Sequence, residues 1–180
     1  MIRRNIYTSA LITALAYLPL TLWAWDHSIE IGYGKSHDPN DSKHYNSGFL
    51  LSGDVYPIKH TNWSYWSVNG TLGRWYSTAP QNKNLTTVAA SLALRLYPLC
   101  TNNAYDGYFM GAAGPALLSN RKFGANTQGS NFTFQWVAGA GVEYDHIDVN
   151  FRYMHYSNAR LFKPDQGFNI QYLISIGYLF

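Results

Sequence analysis

Cysteine is almost missing: Cys100 is the one thiol in 180 residues. That excludes an internal disulfide framework and any cluster of thiolate metal ligands, and Cys100 reads as a structural thiol in or near a turn. Charge is scarce as well. Asp, Glu, Lys and Arg make up 13% of the chain, against about 25% in an ordinary soluble domain. The formal net charge is only +3, so composition gives no ground for a nucleic-acid partner. Beyond the N-terminus no apolar run is long enough for a spanning helix. Mean hydropathy is slightly polar, which excludes a helical membrane protein. No metal-ligand pattern or cofactor motif is present, so neither a metal nor a cofactor is expected.

Aromatic residues are abundant instead, at 17%, with 15 Tyr and 6 Trp. Many aromatics, few charges and no long apolar helices point to a membrane β-barrel. Residues 1–24 read as a secretory signal. Arg3 and Arg4 give a positive start, Ile6 to Leu22 an apolar segment, and Leu22-Trp23-Ala24 a cleavage site. The rival is a membrane helix, because Ile6 to Trp25 is uncharged and about the ~20 residues needed to span. Pro19 and Ala24 favour removal, leaving residues 25–180 as one barrel domain that has crossed the inner membrane.

The mature chain breaks into alternating segments separated by polar or Pro-containing turns. Ile29, Ile31 and Tyr33 share one face against Glu30, and Phe49, Leu51 and Val55 alternate with Ser52 and Asp54. Val88, Ala90, Leu92, Leu94 and Leu96 oppose Thr87, Ser91 and Arg95. Phe132, Phe134, Trp136 and Val142 oppose Thr133, Gln135 and Glu143. Tyr105 to Leu118 is also a strand, but its facing is not assignable. The last segment ends Tyr172, Ile174, Ile176, Tyr178, Phe180, an apolar alternation closing on a terminal aromatic, as in bacterial outer-membrane barrels. Eight strands with alternating short turns and longer loops predict an all-β, eight-stranded antiparallel up-and-down transmembrane β-barrel. Its few charges, Glu30, Arg95, Glu143, Asp148 and Arg152, are expected to pair inside. A barrel of this size is filled by its own side chains and is not a diffusion pore.

The longer loops are expected at Lys35–Asn46, Arg74–Asn84, Ser119–Gln128 and Asn158–Gly167, facing the cell exterior. They and their edges hold eight of the eleven basic residues of the mature chain, against Asp38, Asp41 and Asp165. A cationic rim there would meet the anionic head groups of lipopolysaccharide.

Phe151 to Asn158 carries the chemistry. Val149, Phe151 and Tyr153 share one face, Asp148, Asn150 and Arg152 the other, and continuing the count puts His155 and Ser157 on the apolar face. Their Cα atoms would lie roughly 6.5–7 Å apart, close enough for an imidazole to reach the hydroxyl it would activate. The bland alternative is a strand end that happens to carry His and Ser.

The run Arg152-Tyr153-Met154-His155-Tyr156-Ser157-Asn158-Ala159, followed by Lys163-Pro164-Asp165-Gln166-Gly167, resembles the outer-membrane lipid A 3-O-deacylases of the PagL type. Gly114 to Ser119 and Gly139 to Tyr144 are similar to that family too. The resemblance implies hydrolysis of the ester holding the 3-O-acyl chain of lipid A in the outer leaflet. Ser157 would be the nucleophile, His155 the general base and Asn158 an oxyanion donor. Arg160 and Lys163 would engage substrate. It implies lipid A or lipopolysaccharide and outer-membrane lipid as partners, no cofactor, and a homodimer as a candidate assembly. Two departures stand out. The family's orienting carboxylate, twelve residues after the serine, is here Asn169, and Asp165 stands where Asn is usual. Asp165 is therefore the competing third member. Counting back from Phe180 places Asn169 on the interior face, so reaching His155 requires a bulge. The rival function is a non-catalytic barrel of the same descent, structural, lipopolysaccharide-binding or adhesin-like.

Overall fold

A computed structural model describes residues 26–38, 41–61, 63–99 and 105–180. The expected signal segment and Cys100 lie outside them. Strands β1 (Asp26–Asp38), β2 (Asp41–Thr61), β3 (Ser64–Ser77), β4 (Asn84–Leu99) and β5 (Tyr105–Leu118) run up and down. A small hairpin of β6 (Lys122–Phe123) and β7 (Asn126–Thr127) follows, and β8 (Phe132–Tyr144), β9 (Ile147–Ser157) and β10 (Phe168–Leu179) complete the chain. The long strands pair antiparallel with their neighbours, and β1 pairs with β10, giving a closed eight-stranded barrel. Closure leaves no unpaired edge.

The alternation seen in the sequence is inside out relative to a soluble protein. Ile29, Ile31, Phe49, Leu72, Leu92, Phe109, Phe151 and Ile174 are exposed on the outer wall, while Glu30, Ser52, Asp54, Asn69, Ser91, Arg95, Gln135 and Asp148 are buried in the lumen. The lumen is a paired polar core. Arg95 donates to Glu143 at 2.6 Å and to Asp148 and Glu30 at 2.9 Å each, with Asp54 at 3.7 Å, and Arg152 also pairs with Glu30. Tyr97 and Tyr108 donate to Glu143 and Asp148. Losing one partner of such a cluster strands the rest, at a cost of about 3–5 kcal/mol. Toward the loop end Trp75, Tyr156, Phe168 and Ile170 are fully buried in the lumen.

Four features differ from the sequence expectation. Lys35–Asn46 is mostly strand: β1 runs to Asp38 and pairs Lys35 with Ser47, Ser36 with Asn46 and His37 with Tyr45. The polar residues belong to a hairpin that continues past the apolar wall. Pro57 and Pro98 interrupt pairing rather than end strands, since the register shifts between Val55 and Ile58 and between Leu96 and Leu99. Proline removes a ladder donor and is accommodated at such irregularities. β5 turns Tyr108, Met110, Ala112 and Ala116 inward; Gly and Ala on both faces hide that period from the sequence. Finally, β6–β7 folds inside the expected Ser119–Gln128 loop. Phe123 is buried against Phe168, with ring centroids 5.4 Å apart, and Asp38 accepts from Ala125 N and Asn126 Nδ2, both at 3.1 Å.

Candidate active site on the outer wall

β9 carries His155 and Ser157 to the loop end of the wall, on the face that lower down presents Val149, Phe151 and Tyr153. Both are half-buried. On one side β8 sets Trp136 opposite His155 and Phe134 opposite Ser157. On the other, β10 sets Asn169 opposite His155. The pairing of β10 with β9 slips between Ile170 and Leu173. Those two residues are three apart yet both fully buried, so the strand changes face between them, as a bulge requires. Above the slip Phe168 and Ile170 point in and Asn169 points out.

Asn169 Oδ1 lies 2.5 Å from His155 Nδ1. An amide oxygen carries no proton, so Nδ1 is the donor and Nε2 keeps its lone pair. That is the tautomer a general base needs. Ser36, from the continued part of β1, donates to the Asn169 carbonyl at 2.6 Å and holds this residue from inside the barrel. Ser157 makes no hydrogen bond to His155 in this structure. The two groups nevertheless flank one point: a Cβ on Gly167 would meet His155 Cε1 at 3.0 Å and Ser157 Cβ at 3.2 Å.

The remaining expected site residues lie on the loop from Asn158 to Gly167. Asn158 is fully buried, and its Nδ2 donates to the Phe162 carbonyl at 2.6 Å, which ties the loop together. Asp165 accepts from Asn158 N at 3.4 Å and Arg160 N at 3.1 Å. Its charge is held by backbone amides around Ala159 and Arg160, both at positive φ, a concavity suited to an anion. Asn169, rather than Asp165, therefore meets the imidazole. Arg160 and Lys163 are exposed beside Asp165 and Pro164.

Sequence reading missed Phe134, Trp136 and Gly167. Phe134 and Trp136 look like ordinary members of the outward face, and only register sets them beside Ser157 and His155. Gly167 ends the quoted Lys163–Gly167 run, and its lack of a Cβ lets the loop pack close against the pair.

Fold and site together define a class: closed eight-stranded barrels with a polar lumen, an apolar wall and a His–Ser pair on that wall. The family model for lipid A 3-O-deacylase (PagL) matches residues 47–178, and the chain belongs to that family. The crystal structure of the outer membrane enzyme PagL superposes with a TM-score of 0.62 at 19% identity, covering 85% of this chain and 98% of that one. That of neisserial surface protein A gives 0.50 at 14% identity, covering 86% and 95%. A comparison with curated proteins finds no match.

Proposed function

We propose that this protein resides in the bacterial outer membrane and hydrolyses the ester holding the 3-O-acyl chain of lipid A, residues 1–24 having directed its export. One observation supports the reading: the His155–Asn169 hydrogen bond holds the imidazole in the tautomer that leaves Nε2 its lone pair, on the same face of β9 as Ser157 two residues on. Only a substrate already dissolved in lipid meets that face. Placing its ester at the loop end of β9 sets the acyl chain along the apolar surface and the sugar toward the cationic rim. Ser157 Oγ attacks the carbonyl as His155 Nε2 takes its proton. The same proton then passes to the sugar oxygen as it leaves. Water, deprotonated by His155, releases the fatty acid and restores Ser157. Asn158 as an oxyanion donor would require its amide to leave Phe162 or to use its second N–H.

A second reading is a barrel of the same family that holds lipopolysaccharide without turning it over. The missing Ser157–His155 hydrogen bond and the amide in place of a carboxylate favour it, and it needs no rearrangement of the structure. Lipid A mass spectra from Gram-negative cells carrying the wild type or Ser157→Ala decide between the two. The enzyme reading expects loss of one 3-hydroxyacyl chain with the wild type only. Identical spectra from both, with the barrel folded, leave the binding reading.

A further inference from the structure

We infer that a second site, separate from the His155–Ser157 pair, takes a phosphorylated saccharide in a cleft among the loops that crown the barrel. The cleft measures about 480 Å³ and is formed where the 78–83, 119–131 and 158–167 loops meet, a size that suits one small ligand. Arg121, Lys122 and Lys163 line it together with Asn84, Asn120 and Gln128. No carboxylate is among the described residues that line it, and none of the three cations forms an ion pair with a described residue. Unpaired cations around a concavity are what a phosphate group requires.

The cleft is built rather than incidental. Gln128 N donates to the Arg121 carbonyl at 2.7 Å, and Gly124 N to the Asn82 carbonyl at 3.0 Å. Gln166 joins two of the loops, its N donating to the Thr127 carbonyl and its Oε1 accepting from Thr127 N. Gly129 lets the backbones touch, since a Cβ there would lie 2.5 Å from the Lys163 carbonyl oxygen.

Gln128 specifies more than an anion. The residue is only 3% exposed, and Nε2 donates to the Gln166 carbonyl at 3.2 Å, which fixes the orientation of the amide. Oε1 has no hydrogen-bond partner, and Gln128 is one of the residues that line the cleft. A buried acceptor without a donor is costly, and a bare phosphate dianion has no proton to give it. A sugar hydroxyl does. Cations for a phosphate and one acceptor for a hydroxyl describe a phosphosugar. Lipopolysaccharide presents such groups at the height of these loops. That source rests on the outer-membrane reading above, whereas the site itself does not.

The test uses the full chain folded in zwitterionic detergent, titrated calorimetrically with N-acetylglucosamine 1-phosphate, N-acetylglucosamine and inorganic phosphate. The phosphosugar should bind saturably and more tightly than either part. Arg121→Gln with Lys122→Gln should weaken it at least about tenfold, the scale of lost charge-assisted hydrogen bonds. Gln128→Leu should weaken the phosphosugar and leave phosphate unchanged. No saturable binding, unchanged affinity in the double variant, or phosphate binding as tightly as the phosphosugar would each overturn the proposal. Lipopolysaccharide micelles should compete; if they do not, the lipid source is wrong. Ser157→Ala should bind like the wild type, so loss of the esterase reading leaves this result intact, and the converse holds.

Discussion

Asn169 offers the sharpest test of the site, because one atom exchange changes charge while keeping shape. In the serine-protease template, replacing the orienting Asp by Asn costs about ten-thousandfold, mostly by favouring the wrong tautomer. Here Oδ1 faces Nδ1 at 2.5 Å, so the tautomer is already right and only the charge is missing. A hydrogen bond to a charged group contributes about 1.5–3 kcal/mol, against about 1 for a neutral one. The difference, about 0.5–2 kcal/mol, corresponds to roughly two- to thirtyfold in rate. Asn169→Asp should therefore raise turnover by about that factor, through the imidazolium that forms as Ser157 loses its proton. Asn169→Ala should lower it about fivefold or more, since a neutral hydrogen bond is lost and the ring is freed. The assay is the initial rate of 3-hydroxy fatty acid release from lipopolysaccharide in detergent, read by mass spectrometry. If Asn169→Ala stays within about twofold of wild type and Asn169→Asp is no faster, the imidazole is not held by this residue and the reasoning fails.

Three further outcomes follow from the same geometry. His155→Ala should abolish release while the folded protein still migrates differently from a boiled sample on a gel; surviving activity would remove the general base from the mechanism. Gly167→Ala places a methyl 2.8 Å from the Tyr156 carbonyl and 3.0 Å from His155 Cε1, and a ring displaced by about 1 Å can cost about a hundredfold. The Tyr156 carbonyl is backbone and yields only at a cost, so turnover should fall by at least about tenfold together with some loss of stability, and near-normal turnover would show that close packing of the loop over the pair is not needed. Arg95→Met leaves Glu143, Asp148, Glu30 and Asp54 short of their shared cation, so urea unfolding in micelles should register a loss of about 3–5 kcal/mol; a loss under about 1 kcal/mol would mean that the cluster contributes little.

Strand facing was readable where one face is apolar and the other polar. On β4 and β9 each position lies where the period of two puts it, and the charges assigned to the lumen do pair there. β5 was unreadable because Gly111, Ala112, Ala113 and Gly114 carry no facing signal. The extended β1–β2 hairpin was hidden because strand beyond the apolar wall is polar on both faces and looks like loop. His155 and Ser157 could be found because they share a strand. Their neighbours Trp136 and Asn169 come from other strands, and only cross-strand register, which no local pattern encodes, sets them in one row. Asn169 also needed the slip in β10. Parity alone points it into the lumen, and no Gly or Pro marks the irregularity.

That slip divides β10 into two lengths with opposite phase. From Leu173 to Leu179 the strand seals the barrel against β1, and from Phe168 to Ile170 it serves the site. Each length keeps its own inside and outside, so the seam can accept substitutions without rotating the residue that meets His155. The slip is one extra residue on β10: Ile170 to Leu173 spans three steps where Met154 to Arg152 on β9 spans two. Deleting one residue at Gln171–Tyr172 would therefore restore a single phase along β10 with Ile170 and Leu173 still inward and Asn169 still opposite His155. Deleting one residue within the sealing half would instead turn side chains over on one side of the gap. A systematic deletion scan of this strand should therefore find its mildest position at Gln171–Tyr172.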